Sequence, residues 1–332
     1  MSQRMQRVGP LEGLPDLVRS HGVALEAVIE NAGIDAAVLA DVDAMIPFAT
    51  ACRLLDRAAK LTGVGHIGLE LGLRYDHMIL GMVGALMANA PTMGDSFRDF
   101  VRIQYRNSRG AVVFLVRQDD HVHLGYGIYD RYEPGADPVY DVAMGISVNC
   151  VRRLGGRDAG PVEVLISHRG TAPREIYEAL FGCRVRFNQP YSAVSVAAEA
   201  MRLPVEGSDP VLREELQAAM QAVPPLREHE VGARVRHLLK PALLRGEGSS
   251  LEIADQLGLH IRTLNRRLRD EGTTFRAIQQ EVSLATASEL LSLTDLPTAE
   301  IAATLGYGSQ SSFERAFRRW THLSPTRWRR GS

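Results

Sequence analysis

The stretch SLEIADQLGLHIRTLNRRLRDEG, residues 250–272, decides the fold of the C-terminal part of the chain. Its apolar residues up to Leu257 recur at the spacing of one helical face. Gly258 then permits a tight turn, and Leu264 and Leu268 form the inner face of a second short helix. Two short helices joined through a turn that contains glycine predict a helix-turn-helix unit.

The second of these helices carries a polar face on the side opposite its leucines. Arg262, Asn265 and Arg266 share that face at spacings of three and four residues. In the major groove of DNA, arginine can donate two hydrogen bonds to guanine, and asparagine can pair with adenine. An arginine-rich helix face taken alone is usually a solvated surface. Its position on the second helix of a helix-turn-helix is what favours DNA contact.

A second unit with the same pattern follows at IAATLGYGSQSSFERAFRRW, residues 301–320. Gly306 supplies its turn, Ser309 is placed to cap the next helix, and Phe313 and Phe317 face inward. The residues left on the outward face are Gln310, Ser311, Glu314 and Arg315. Because the I-A-x-x-L-G pattern of the first unit recurs here, the two units predict a tandem DNA-reading module.

The charge of the 332-residue chain is distributed unevenly. The formal net charge is only −1, yet basic residues exceed acidic ones from residue 227 onward, and acidic residues are in excess before it. This balance excludes a wholly basic nucleic-acid coat and an acidic disordered tail. A mildly acidic N-terminal part and a basic C-terminal part indicate that the C-terminal part is a separate anion-binding module.

Prolines divide the chain into two predicted domains. Val223-Pro224-Pro225 ends a predicted helix and stiffens the chain, so the linker is placed at residues 223–230. Residues 1–222 form the first domain and residues 231–332 the second. The second domain contains helix-turn-helix units at about residues 249–269 and 298–320, with one long helix over residues 274–292 between them.

The first domain mixes helices with strands. Residues 111–118 and 121–130 are typical of a hairpin, and the alternation of His121 and His123 with apolar residues predicts a half-buried second strand. Helices are predicted at about residues 11–20, 24–31, 47–62, 66–72, 79–89, 95–107, 138–154 and 173–180, and strands at 162–167, 184–188 and 192–197. The predicted fold is an α+β domain followed by an all-α domain with two helix-turn-helix motifs joined by a long helix.

Over about residues 230–330 the sequence closely resembles the DNA-binding domain of AraC/XylS-type transcription regulators. The resemblance rests on the two units, the connecting helix and the closing S-P-x-x-[WY]-R pattern at residues 324–329. Residues 10–220 resemble the arabinose-binding-type sensor domain of ornithine-utilisation and VirS-like regulators. The marks there are Gly68-Leu69, Leu71-Gly72, Gly81, Gly84 and FGCRVRF at residues 181–187.

The resemblance implies a regulator that binds double-stranded DNA through both recognition helices. Its base-reading residues would be Arg262, Asn265 and Arg266, then Gln310, Ser311, Glu314 and Arg315. Glu314 could accept from cytosine or pair with Arg318, and the second is favoured. The resemblance further implies a small-molecule effector of unknown identity bound by residues 1–222, RNA polymerase as a partner, an activating role and a possible homodimer. His260 stands where the family usually has serine, which predicts a weaker helix cap.

No catalytic residue, metal ligand or cofactor is assigned from the sequence. Scattered histidines such as His121 and His123 have no acidic or thiol partner at ligand spacing, so polar surface or cleft positions are favoured. Tyr105 and Arg106 could hold an anion, but a solvated helix face is favoured. The sequence shows neither a secretory signal nor a stretch long enough to cross a membrane, so a cytoplasmic protein is expected.

Two alternatives remain. The chain could be a ligand-independent DNA-binding regulator whose first domain only dimerises. More remotely, it could be a DNA-repair enzyme that accepts a methyl group, which needs an activated cysteine thiolate. Cys52, Cys150 and Cys183 each have an arginine nearby, but their helix or strand patterns indicate burial.

Overall fold

The structure is a computed structural model that describes residues 4–128, 135–157, 159–222, 231–244 and 247–331. The predicted linker at residues 223–230 lies outside the described residues. The predicted fold class is confirmed, since a mixed α+β N-terminal part is followed by a helical C-terminal part. In the described ranges, no helix is both long enough and apolar enough to cross a membrane.

The helices and strands of the N-terminal part follow the predicted ones closely. The helices are α1 (Leu14–Ser20), α2 (Leu25–Ile29), α3 (Phe48–Thr62), α4 (Ile67–Gly72), α5 (Met82–Ala88), α6 (Met93–Ile103), α7 (Asp137–Gly155), α8 (Arg174–Phe181) and α9 (Pro210–Ala222). The strands are β1 (Met5–Arg7), β2 (Met45–Pro47), β3 (Ala111–Gln118), β4 (His121–Ile128), β5 (Glu163–Leu165), β6 (Arg184–Arg186) and β7 (Ser192–Ala197). The antiparallel pair of β1 with β2 was not predicted, because three-residue strands leave no alternating pattern.

The main sheet has the strand order β3-β4-β7-β5-β6, in which only β5 and β6 run parallel. The predicted hairpin of β3 with β4 is confirmed. The prediction of a half-buried β4 is wrong on one point, since both faces of the strand are largely buried. The ring of Phe114 covers Gly125, and the Tyr191 hydroxyl lies 2.9 Å from Nδ1 of His123.

Helix α7 is the central helix of the N-terminal part, and glycines let it approach α4 closely. A Cβ at Gly72 would lie 2.4 Å from the carbonyl oxygen of Val142, and one at Gly68 would lie 2.2 Å from that of Pro138. Any larger residue would therefore collide with backbone, which cannot rotate away as a flexible side chain can. This contact gives a physical reason for the glycines that marked the sensor-like region.

The C-terminal part is built from short helices around two apolar clusters. The helices are α10 (Val231–Leu244), α11 (Ser250–Gln256), α12 (Ile261–Asp270), α13 (Phe275–Leu293), α14 (Thr298–Thr304), α15 (Gln310–Thr321) and α16 (Pro325–Arg330). The first cluster joins α10, α11 and α12 to the first half of α13, and the second joins α14, α15 and α16 to its second half. The long helix predicted at residues 274–292 is thus shared by both units.

We expect Gly72→Ala to lower the free energy of unfolding by about 1–3 kcal/mol, because the added methyl group overpacks the α4–α7 contact. Urea denaturation of the full chain measures the change. Gly160→Ala is the matched control, since a Cβ there meets no atom of the described residues within 4 Å. The control should stay within about 0.5 kcal/mol of the unchanged protein. Equal stability of the two variants would contradict the close packing of α4 on α7.

Candidate nucleic-acid interface and effector cavity

The first helix-turn-helix unit is held by capping side chains and a buried apolar face. Ser249 and Glu252 form a reciprocal capping box at the start of α11, and Gly258 adopts a left-handed backbone with φ of 65°. The imidazole of His260 accepts the backbone N–H of Arg262 at 3.2 Å, so this histidine caps α12 as the usual serine would. Helix α12 is therefore firmly oriented at its N-terminal end.

The opposite face of α12 is free for a partner. Arg262, Asn265 and Arg266 are all exposed, whereas Leu264 and Leu268 are fully buried in the first cluster. Within the described ranges, Arg262 and Arg266 make no hydrogen bond or ion pair through their guanidinium groups. Both arginines can therefore bind a phosphate or a base without first giving up an internal partner.

Helix α15 of the second unit repeats this arrangement. Ser309 caps it by accepting the N–H of Ser312 at 3.2 Å, and Phe313 and Phe317 are fully buried in the second cluster. Gln310, Ser311 and Arg315 are exposed on the other side, and Glu314 is half-buried. In the described ranges Glu314 does not form the favoured ion pair with Arg318, and one of its carboxylate oxygens accepts from the side-chain amide of Gln310 at 2.8 Å. That bond pre-orients two predicted DNA-contacting groups on one turn of the helix.

A buried polar cluster joins the N-terminal part to the C-terminal part. Nζ of Lys240 on α10 lies 2.6 Å from Oε2 of Glu289 on α13, and these residues are only 3% and 6% exposed. The Tyr140 hydroxyl of α7 donates to the other carboxylate oxygen, and Lys240 also donates to the carbonyl of Ile128. Burial and the Glu289 carboxylate raise the pKa of Tyr140 well above its usual value, so the hydroxyl remains a donor.

Arg169 makes a second contact between the two parts, at the end of α13. Its guanidinium donates to the carbonyls of Ser292 at 2.6 Å and Thr294 at 3.0 Å, and to Oδ1 of Asp295 at 2.6 Å. The side-chain oxygen of Asn188 accepts the backbone N–H of Asp295 at 2.9 Å. A cation placed at a helix C-terminus satisfies carbonyls that have no partner within the helix. The N-terminal part therefore binds the C-terminal end of α13, the helix that both units share.

An apolar cavity of about 80 Å³ lies between α3, the end of α6, the sheet and α7. Its walls include Phe48, Phe100, Val139 and Ile146, and Gln104 and Asn107 line it as well. Tyr126 also lines the cavity, and its ring meets that of Tyr140 edge-on at 5.8 Å. Tyr126 therefore connects the cavity to Tyr140, whose hydroxyl donates to Glu289.

The residues singled out for anion binding do not form this cavity. Arg106 donates to the carbonyl of Met220 at 2.5 Å, and its guanidinium lies 5.7 Å from the centre of the Tyr105 ring. The cavity is lined instead by Gln104 and Asn107, from the same RIQYRNSR stretch. The sequence did not identify these amides, because no local pattern indicates which side of a short 3-10 turn is buried.

The histidines considered for metal binding have other surroundings. His121 and His123 line a polar cleft of about 460 Å³ between the sheet and Leu244 and Glu300, and burial lowers the pKa of His123. Among the described residues, no group of three or more His, Cys, Asp or Glu side chains is arranged to hold a metal ion.

A buried network at His168 stabilises the N-terminal part. Nε2 of His168 lies 3.1 Å from Oδ1 of Asp141, and the Tyr177 hydroxyl donates to Oδ2 of the same carboxylate at 2.7 Å. Burial alone lowers the pKa of His168, but the Asp141 carboxylate outweighs burial and the pKa is raised above its ordinary value. The imidazolium form is therefore favoured in the folded protein.

We expect the stabilising effect of His168 to depend on pH. A raised pKa means that its contribution is fully present below the ordinary histidine pKa of about 6.5 and is lost as the pH rises through the folded-state value. The free energy of unfolding of the unchanged protein minus that of His168→Gln should therefore shrink as the pH is raised. His121→Gln, outside this network, is the control. A difference that stays constant with pH would contradict the charged pair.

The cysteines lack the surroundings of a reactive thiolate. Cys52 and Cys150 are fully buried, and burial raises the pKa of Cys150 far above its usual value. Burial also raises the pKa of the half-buried Cys183. Thiolate chemistry needs a lowered pKa, so the interpretation as a methyl-accepting enzyme receives no support from these sites.

Comparison with known proteins agrees with this architecture. Residues 22–205 match the family model described as the arabinose-binding domain of AraC transcription regulator, N-terminal, and residues 253–331 match a helix-turn-helix domain. The chain is 27% identical to the HTH-type transcriptional regulator VirS of Mycobacterium tuberculosis, over 97% of this chain and 96% of that protein. It is 28% identical to the ornithine utilization regulator of Pseudomonas aeruginosa, over 96% of this chain and 94% of that protein.

Among solved structures, the transcriptional regulator CdpR of Pseudomonas aeruginosa is similar with a TM-score of 0.42 and 24% identity, covering 80% of this chain and 87% of that one. The matching families and relatives are transcription regulators, not enzymes. The arabinose-binding-type domain alone spans more than half of the described chain, and the helix-turn-helix match falls on the two units with the exposed polar faces. The chain therefore belongs to the AraC family of DNA-binding transcription regulators, with an N-terminal domain of the arabinose-binding type.

Proposed function

We propose that the protein is a sequence-specific regulator that binds a small molecule in residues 1–222 and activates transcription through residues 231–332. The observation that carries the proposal is the pair of exposed polar faces on α12 and α15, each backed by a buried apolar face in its own cluster. The proposal includes homodimer formation, contact with RNA polymerase and a cytoplasmic location, and membership of the family supports them. Double-stranded DNA and the effector are the other proposed partners, with no role for a membrane.

The proposed DNA contacts are made by both recognition helices of one chain. They are Arg262, Asn265 and Arg266 on α12, and Gln310, Ser311, Glu314 and Arg315 on α15. Two helices that enter successive major grooves on one side of a duplex lie about 34 Å apart along its axis. A footprint on the promoter region of the protein's own gene tests this, and we expect two protected segments one helical turn apart. Protection of a single segment, or of none, would count against the use of both units.

We expect Arg266→Ala and Arg315→Ala each to weaken DNA binding by about 5- to 150-fold, because one good base contact contributes about 1–3 kcal/mol. Fluorescence anisotropy with the footprinted fragment measures the loss, and circular dichroism checks that the fold is kept. Arg157→Ala is the matched control, an exposed arginine outside both units. Binding by either variant that equals the control would rule out that residue as a DNA contact.

The proposed route from the effector to DNA passes through Tyr140 and Glu289. Lys240 packs in the half of the module that carries α12, while Glu289 lies on the half of α13 that packs with α15. The ion pair between them therefore links the two DNA-reading units, and Tyr140 is its partner from the N-terminal part. An effector acts only through a difference in affinity between two states of the protein. If Tyr140 shifts, Glu289 loses the hydrogen bond from its hydroxyl. The states with and without this bond are the two states that we propose.

We expect Tyr140→Phe to change the affinity of the full chain for DNA and to speed hydrogen exchange in the second half of α13. The variant keeps the ring against Tyr126 but removes the bond to Glu289, which leaves a buried carboxylate oxygen without that donor. Tyr105→Phe is the control, because that tyrosine lies beside Arg106 and its hydroxyl does not donate to Glu289, whose carboxylate binds Tyr140 and Lys240. Faster exchange without any change in DNA affinity would mean that the contact is structural and does not carry the effector signal.

A further inference from the structure

The cavity between α3, α6, the sheet and α7 is lined mostly by apolar side chains, with Gln6, Ser108 and Ser147 as scattered polar residues and one corner made of two amides. The corner is formed by Gln104 and Asn107, which are 2% and 4% exposed. Oε1 of Gln104 and Nδ2 of Asn107 are buried, and neither atom has a hydrogen-bond partner among the residues that the structure describes. Buried polar atoms are nearly always paired in folded proteins, so an unpaired acceptor and an unpaired donor at one cavity indicate a missing partner.

The two unpaired atoms define what that partner must offer. Oε1 of Gln104 requires a hydrogen-bond donor, and Nδ2 of Asn107 requires an acceptor. A hydroxyl group supplies both, and so does a primary amide. Neither a purely apolar molecule nor a molecule with acceptors alone satisfies the pair.

The rest of the cavity excludes a charged ligand. None of the described residues that line it carries a charged side chain. A carboxylate or an ammonium group buried here would lose its hydration without gaining a counter-charge, which is strongly unfavourable. Amino acids and ionised organic acids therefore do not fit this cavity.

The volume limits the size of the ligand. The cavity measures about 80 Å³, whereas a buried apolar cavity of roughly 150 Å³ accepts benzene. The present volume therefore suits a molecule no larger than benzene.

We propose that this cavity is the effector site and that it takes a small uncharged molecule with a short apolar body and one terminal hydroxyl or primary amide. The ligand hydroxyl donates to Gln104 and accepts from Asn107, while its apolar body lies against Val139 and Ile146 of α7. The inference rests on the proposed small-molecule response and specifies the chemistry of that response. Its position beside Tyr126 places the ligand next to the ring that touches Tyr140.

The test uses thermal unfolding and isothermal titration calorimetry of the full chain with matched probes. The neutral probes are n-propanol, n-butanol and butanamide, and the charged ones are butyrate and butylammonium. We expect at least one neutral probe to bind saturably and raise the Tm, and the charged probes of the same length to leave it unchanged. Saturable binding of butyrate or butylammonium at least as tight as that of the neutral probes would overturn the proposal.

Two variants connect the binding to this cavity. Gln104→Leu removes the acceptor, and Ala143→Leu fills the space from α7, where Ala143 lines the cavity. We expect both to abolish saturable binding of the neutral probe. Because Ala143→Leu leaves the polar corner intact, it keeps the test valid if Gln104→Leu fails to fold. Unchanged binding to a folded Ala143→Leu protein would show that the probe binds elsewhere and would overturn the proposal.

A screen of charged and neutral metabolites separates this inference from the proposed function. If only charged metabolites raise the Tm, the protein still responds to a small molecule, but the inferred ligand chemistry is wrong. If no small molecule does so and the DNA footprint is intact, the response itself is absent and the inference falls with it.

Discussion

Lys240 and Glu289 are buried charges whose partners come from three separate parts of the chain. The ammonium group is satisfied by the carboxylate and by the carbonyl of Ile128, and the carboxylate by the ammonium group and the Tyr140 hydroxyl. A buried ion pair is tolerated only when its remaining hydrogen-bonding capacity is met. The pair therefore holds together only while the first unit, the second unit and the N-terminal part are all in place. It is the buried contact at which these three parts of the chain meet.

Helix α13 carries the consequences of that contact to the DNA-reading faces. Its first half packs with α12 through residues such as Ile278, and its second half packs with α15 through residues such as Leu291. Arg169 holds its C-terminal carbonyls from the N-terminal part. Because the two recognition helices rest on different halves of this one helix, a bend in α13 would move them relative to each other. In the proposed regulator, an effector that bends α13 would therefore need no contact with either recognition helix.

Helix α7 explains how a cavity and a contact between domains can be neighbours. Val139 and Ile146 face the cavity, Tyr140 faces Glu289, and Asp141 holds the buried His168. Gly145 and the glycines of α4 bring the two helices into backbone contact. Every side of α7 is thus packed, and tightly packed interiors transmit small displacements instead of absorbing them.

Local patterns in the sequence were sufficient for the two helix-turn-helix units, the β3–β4 hairpin and the outward faces of α12 and α15. Periodicity, glycine turns and Ser309 act within a few residues of one another, so they can be read without knowing the fold. Only the tertiary structure brought Tyr140 to Glu289, 149 residues away, and placed Gln104 and Asn107 at a cavity. It also buried both faces of β4, where alternation had indicated one exposed face. These features depend on which distant surfaces pack together, and packing between distant segments leaves no periodic mark on either of them.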